Sequence, residues 1–112
     1  MARRRENASF QDAKRWLRKH FPSEYTVRIQ LVAPSSINGD DGRVRWIPGK
    51  SEDHFKILIA DNLNIHQTID TLFHEWAHVL TTHSIPLDEN ASHPDVFWAH
   101  YGRIYRKWHG EP

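Results

Sequence analysis

Apolar and polar positions recur along this chain with two different periods, and the switches between them mark its elements. From Ser9 onward, Phe10, Ala13, Trp16, Leu17 and His20 recur at helical spacing, and Ser9 with Asp12 supplies an N-cap and an acidic third position. Pro22 ends this helix. Tyr25, Val27, Ile29 and Leu31 then alternate with Thr26, Arg28 and Gln30, as in a strand with one face on a core. Residues 34–42 carry Ser-Ser, Asn-Gly and Asp-Gly and read as a loop. A short strand over 43–47, a turn at Pro48 and Gly49, and a strand over 54–60 with Phe55, Ile57 and Ile59 on one side predict a β-hairpin. Asn64 begins the longest stripe, Ile65, Ile69, Leu72, Phe73, Trp76, Ala77 and Leu80, with Gln67 as its capping partner and an end near Thr81 and Thr82. A last helix, opened by Pro94 and reaching to about Trp108, puts Phe97, Tyr101, Ile104 and Trp108 on one face. Of the five tryptophans, Trp76 and Trp108 are core positions by these stripes, and Trp46 and Trp98 are left open.

Residues 1–8 have no periodicity and read as a flexible basic arm, and residues 9–112 as a single α+β domain in the order helix, three strands, helix, helix. With 112 residues, 38% of them hydrophobic, the chain can build a core without covalent staples. It has no cysteine, which excludes disulfides, Cys-rich zinc modules and thiol catalysis and is compatible with a reducing compartment. Fifteen Lys and Arg against 14 Asp and Glu leave a formal charge of +1, too small for binding to nucleic acid or membrane through bulk charge. The basic start Arg3-Arg4-Arg5 is not followed by an apolar segment, so no secretory signal is expected. No apolar run approaches the ~20 residues of a membrane span, and the expectation is a soluble, cytoplasmic protein. What stands out in the composition is nine histidines.

Two of them fall in His74-Glu75-Trp76-Ala77-His78, an H-E-x-x-H pattern inside the long predicted helix. Residues four apart share a helix face, so two imidazoles at this spacing can converge on one divalent ion. Glu75 lies about 100° round the axis, placed to reach a water on the ion's open position, where a general base belongs. With so many histidines, roughly 0.04 accidental matches are expected in a chain of this length. The helical stripe around the pattern, the strand just before it and a further histidine just after it sharpen the metal reading. Its plain alternative is a pair of histidines on an ordinary amphipathic helix.

Catalytic zinc takes three protein ligands and a water, so a third ligand has to follow. His83 comes too soon for the longer metzincin spacing, whose required Gly is Thr81 here. Asp88 or Glu89 can provide a carboxylate ligand. His93 is the preferred candidate, because it sits just before the last helix and the intervening segment can fold back over the first two ligands.

From Ile57 to Trp108 the chain resembles the SprT-like group of minimal zincin metallopeptidases and their small phage-type relatives. The resemblance is carried by Lys56-Ile57-Leu58-Ile59, by Thr71-Leu72-Phe73-His74-Glu75-Trp76-Ala77-His78, and by His93-x-x-x-Phe97 opening a helix. It covers about half of the sequence, the N-terminal helix and strands agreeing in order only. It implies a minimal zincin-like fold, Zn2+ held by His74, His78 and His93, Glu75 as the base, and hydrolysis of peptide bonds in a protein or peptide substrate. In one respect the chain departs from the group: Pro94 stands where Gly usually follows the third histidine, which holds His93 in extended backbone.

The oxyanion of the transition state needs a hydrogen-bond donor. Tyr101 is the chosen candidate, ahead of His100 and Tyr105, although packing is the plainer role for all three. Asp70, one turn before His74, reads as solvent-facing, with an acceptor role behind the ligands as its alternative. The strand at 43–47, bordered by Arg43 and Arg45, is the expected sheet edge along which an extended substrate pairs. Asp40 and Asp41 are explained by a turn without calcium. The arm at Arg3-Arg4-Arg5 and the cluster Arg103, Arg106 and Lys107 read as a solvated tail and a favourable helix C-terminus rather than as a DNA contact, although the resemblance adds some weight to DNA. A reading from another class is a non-catalytic, zinc-stabilised binding or regulatory module, distinguished by four protein ligands in place of three and a water. A third is a metal-free α+β domain with incidental histidines.

Overall fold

A computed structural model of the chain describes residues 9–49, 54–82 and 95–110. Within them the fold is α+β, three α-helices and a three-stranded mixed sheet. Helix α1 spans Phe10–His20, strand β1 Thr26–Val32, β2 Gly42–Ile47, β3 His54–Ala60, helix α2 Ile65–Thr81 and helix α3 Asp95–Trp108. The arm at 1–8, residues 50–53 between β2 and β3, and Pro94 lie outside the described residues; Pro48 and Gly49, where the turn is expected, do not close the hairpin by themselves, since Ile47 pairs with His54.

Both expected capping pairs are in place. The Ser9 side chain accepts from the Asp12 backbone N–H at 3.1 Å while Asp12 accepts from the Ser9 N–H. Asn64 and Gln67 make the same reciprocal pair at 2.8 and 3.2 Å. Each pair satisfies two of the N–H groups that a helix start leaves without an intrahelical partner. The start of α2, the helix that carries His74 and His78, is thus marked by residue 64.

The hairpin is also as expected, β2 running antiparallel to β3 with Val44 opposite Ile57 and Trp46 opposite Phe55. Strand β1 pairs with the other side of β3, in parallel, giving the order β1-β3-β2. The expected edge position of β2 holds, and β1 is the opposite edge. Phe55, Ile57 and Ile59 turn to the helices, where they join Leu72, Phe73, Trp76 and Ala77 of α2 in the main core. Trp76 is 1% exposed and its Nε1–H donates to the Phe21 carbonyl at 2.8 Å, tying α2 to the end of α1. Trp108 is buried and packs edge-on to Phe73 and Trp16, whereas Trp46 and Trp98 are exposed.

The segment at 34–42 differs from the simple loop expected. Pro34–Ile37 forms a turn of 3-10 helix, and the strand begins at Gly42 instead of Arg43. Pro34 supplies the φ that such a turn needs. Ile37 is buried on the face of the sheet away from the helices, against Leu58 and Ala60. One apolar residue in a polar segment has no period to betray it. The central strand is therefore covered on both faces, which explains why it reads as a nearly continuous apolar run. Asp40 accepts from Arg43 at 2.9 Å, and the Asp41 carbonyl accepts from the Ala60 N–H at 2.8 Å, which carries the β2–β3 pairing one residue beyond Gly42. Among the described residues no helix is long and apolar enough to cross a membrane.

Candidate functional site

Helix α2 carries three kinds of residue on three sides. Leu72, Phe73, Trp76 and Ala77 face the core. Asp70, His74 and His78, each one turn after the last, form a second line that faces α3. Glu75 and Thr71 lie toward β2. The helical stripe that buries the first set therefore fixes where the other two point.

The rings of His74 and His78 have centres 5.1 Å apart with planes at 67°. Two imidazoles that share one tetrahedral ion through nitrogens at roughly 2.0–2.1 Å have ring centres about 5 Å apart, so the separation fits a shared ion. Both rings rest on Phe97 of α3, at 5.0 Å from His74 and 4.4 Å from His78. Phe97 is fully buried. It forms an apolar wall that limits the rotamers of both rings and keeps water off one side of them, the kind of shell that raises the strength of an electrostatic site.

Tyr101, one turn beyond Phe97, places its ring edge-on to His74 at 5.7 Å between centres, and its hydroxyl donates to Asp70 Oδ1. This link joins α2 to α3 beside the histidines. Burial of the ring, reinforced by the Asp70 carboxylate, pushes the Tyr101 phenol above the usual tyrosine range. Tyr101 is thus kept as an O–H donor, with Asp70 as its acceptor in this structure. Asp70 is exposed as expected, and the bond it accepts comes from Tyr101 rather than from a histidine. His100 lies one turn from Arg103, whose guanidinium is 2.8 Å from its Nδ1. Tyr105 is exposed and stacks beside Tyr101.

Glu75 is 7% exposed, the one acidic residue among the buried side chains described. Over it passes the start of β2, where Gly42 leaves room for the carboxylate. The base candidate thus stands between the histidine line and β2, an edge strand among the described residues.

Among the described residues no group of three or more His, Cys, Asp and Glu comes together as a metal site. The third-ligand candidates, His83, Asp88, Glu89 and His93, all lie outside the described residues. The structure therefore brings His74, His78, Glu75, Asp70 and Tyr101 together and does not place the third ligand. Two participants escaped the sequence reading. The period of α3 puts Phe97 on the core face, as observed, and only the packing of α3 on α2 shows it to be the wall behind both histidines as well. Gly42 falls in the segment whose turn signals predict a loop, although a glycine at the mouth of a predicted strand is itself a signal of close approach. Comparison with models of protein families, with curated proteins and with solved structures returns no match for this chain.

Proposed function

We propose that this chain is a zinc-dependent endopeptidase of minimal zincin type, with His74, His78 and His93 as ligands and Glu75 as general base. The observation that carries the reading is the pair of half-buried imidazoles 5.1 Å apart on one face of α2 with the buried Glu75 next to them. A bound zinc ion supplies Lewis acidity toward the scissile carbonyl and the attacking water. Glu75 takes a proton from that water and passes it to the leaving amine. Phe97 and Tyr101 hold the ligand face dry and rigid. Tyr101 is the oxyanion donor of the proposal, and it exchanges Asp70 for the substrate oxygen as its acceptor when the oxyanion forms. The β2 edge, whose first residue lies over Glu75, is the place where an extended peptide pairs. The absence of cysteine suits a cytoplasmic location.

The test has two parts. Elemental spectrometry on untagged protein offered zinc should find one zinc per chain, and no uptake refutes the proposal. Glu75→Gln should retain that zinc and lose cleavage of an unfolded protein such as casein, since only the base is removed. Cleavage by the variant at the wild-type rate refutes the mechanism. The low exposure of Glu75 favours a second reading, a non-catalytic zinc-stabilised binding or regulatory module, because little of the carboxylate is open to water. A zinc-loaded structure separates the two: three protein ligands and a water for the enzyme, four protein ligands for the module.

A further inference from the structure

Gly42 opens β2 where this edge strand crosses α2. Among the described residues the glycines with positive φ are Gly39 and Gly110, so residue 42 does not need glycine to turn the chain. What it needs is space. A Cβ at residue 42 would lie 2.5 Å from Thr71 Cγ2, 3.1 Å from Glu75 Cγ and 3.3 Å from Glu75 Oε1. A glycine inside a strand gives up backbone entropy and packing and marks a site of close approach. The neighbour that approaches here includes the one buried carboxylate described in the fold.

We infer that Gly42 is a positioning residue for Glu75: the bare backbone at the start of β2 forms one wall of the slot that holds the carboxylate in a single place. The inference rests on the peptidase reading only for the use that Glu75 is put to, since the slot is a property of the metal-free chain. The two contacts separate structure from positioning. The Thr71 methyl, 2.5 Å from the built Cβ, is a hard clash on a short β-branched side chain to which a helix leaves only two χ1 rotamers. Glu75 is only slightly too near and has to give by a few tenths of an ångström. Such a shift matters little for stability but is comparable with the ~0.5 Å to which catalytic groups must be held. Removing the Thr71 methyl should therefore relieve the clash and leave the added side chain leaning on Glu75 alone.

The experiment compares metal-free wild type, Gly42→Ala, Thr71→Ser and the double variant. Thermal unfolding reads the clash, and the three-bond couplings of the Glu75 side chain in glutamate-labelled protein read its rotamer. The chain has six glutamates, and the signal lost in Glu75→Gln identifies residue 75. Gly42→Ala should lower the Tm by about 5 °C or more, and Thr71→Ser in its background should recover at least half of that loss. Thr71→Ser alone should keep the wild-type Glu75 couplings, and the double variant should show altered or averaged ones. A double variant with wild-type couplings overturns the inference, because Gly42 then makes room only for Thr71. So does a Gly42→Ala protein with wild-type Tm. So does one whose fold Thr71→Ser does not restore, since the contact with the Thr71 methyl is then not the cause. Failure to take up zinc would end the peptidase reading and leave this result standing.

Discussion

Replacing Tyr101 with Phe deletes one hydroxyl and leaves the ring contacts with His74 and Phe97 in place. What is lost is the hydrogen bond to Asp70, the polar link described here between α2 and α3. A hydrogen bond to a charged group is worth about 1.5–3 kcal/mol when its partner is left stranded. Asp70 is exposed, so water takes over its carboxylate when the hydroxyl goes, and the expected loss falls to about 1 kcal/mol. For a chain of this length that is about 5 °C in Tm. The assay is urea unfolding of the metal-free protein in a double-mutant cycle, Tyr101→Phe, Asp70→Ala and both together, because the cycle cancels the change in helix propensity at residue 70. A coupling of about 1 kcal/mol is expected, and one below about 0.3 kcal/mol refutes the assignment of the link. Alkali gives an independent check. The folded protein holds the Tyr101 proton more tightly than the unfolded chain does. This contribution is therefore complete below the ordinary tyrosine pKa of about 10 and is lost as pH climbs above it. The loss should be smaller in Tyr101→Phe than in wild type.

Removal of the α2 cap by Asn64→Ala should cost about 1 kcal/mol by denaturant unfolding, because Asn64 accepts from the Gln67 N–H at 2.8 Å at the start of the helix that carries the histidines. If stability is unchanged, the cap is not what fixes that helix start. His93→Ala should weaken zinc retention against a competing chelator by at least about tenfold, while Glu89→Ala leaves it unchanged; the reverse result would assign the third position to the carboxylate.

Local signals predicted local features well. Ser9 with Asp12 and Asn64 with Gln67 mark two helix starts, and each capping box is present at those residues. The alternation at 54–60 and the run at 43–47 yield the antiparallel pair, because strands that follow each other closely in sequence need no information from elsewhere in the chain. The parallel pairing of β1 with β3 was not legible: its register sets Val27 opposite Phe55, residues far apart in sequence with β2 between them, so no local signal marks it. The same division runs through the site. Spacing alone brings His74, Glu75 and His78 together, since four residues on a helix is a fixed geometry. Phe97, Tyr101 and Gly42 reach the site only through tertiary packing. Each of them bears on a residue that the spacing did find: Phe97 on both imidazoles, Tyr101 on Asp70 one turn before His74, and Gly42 on Glu75. A five-residue motif states which groups can meet. The close approach of a second helix and a bare strand backbone decides how tightly they are held, and in a domain this small that constraint has to come from whole elements packed against α2.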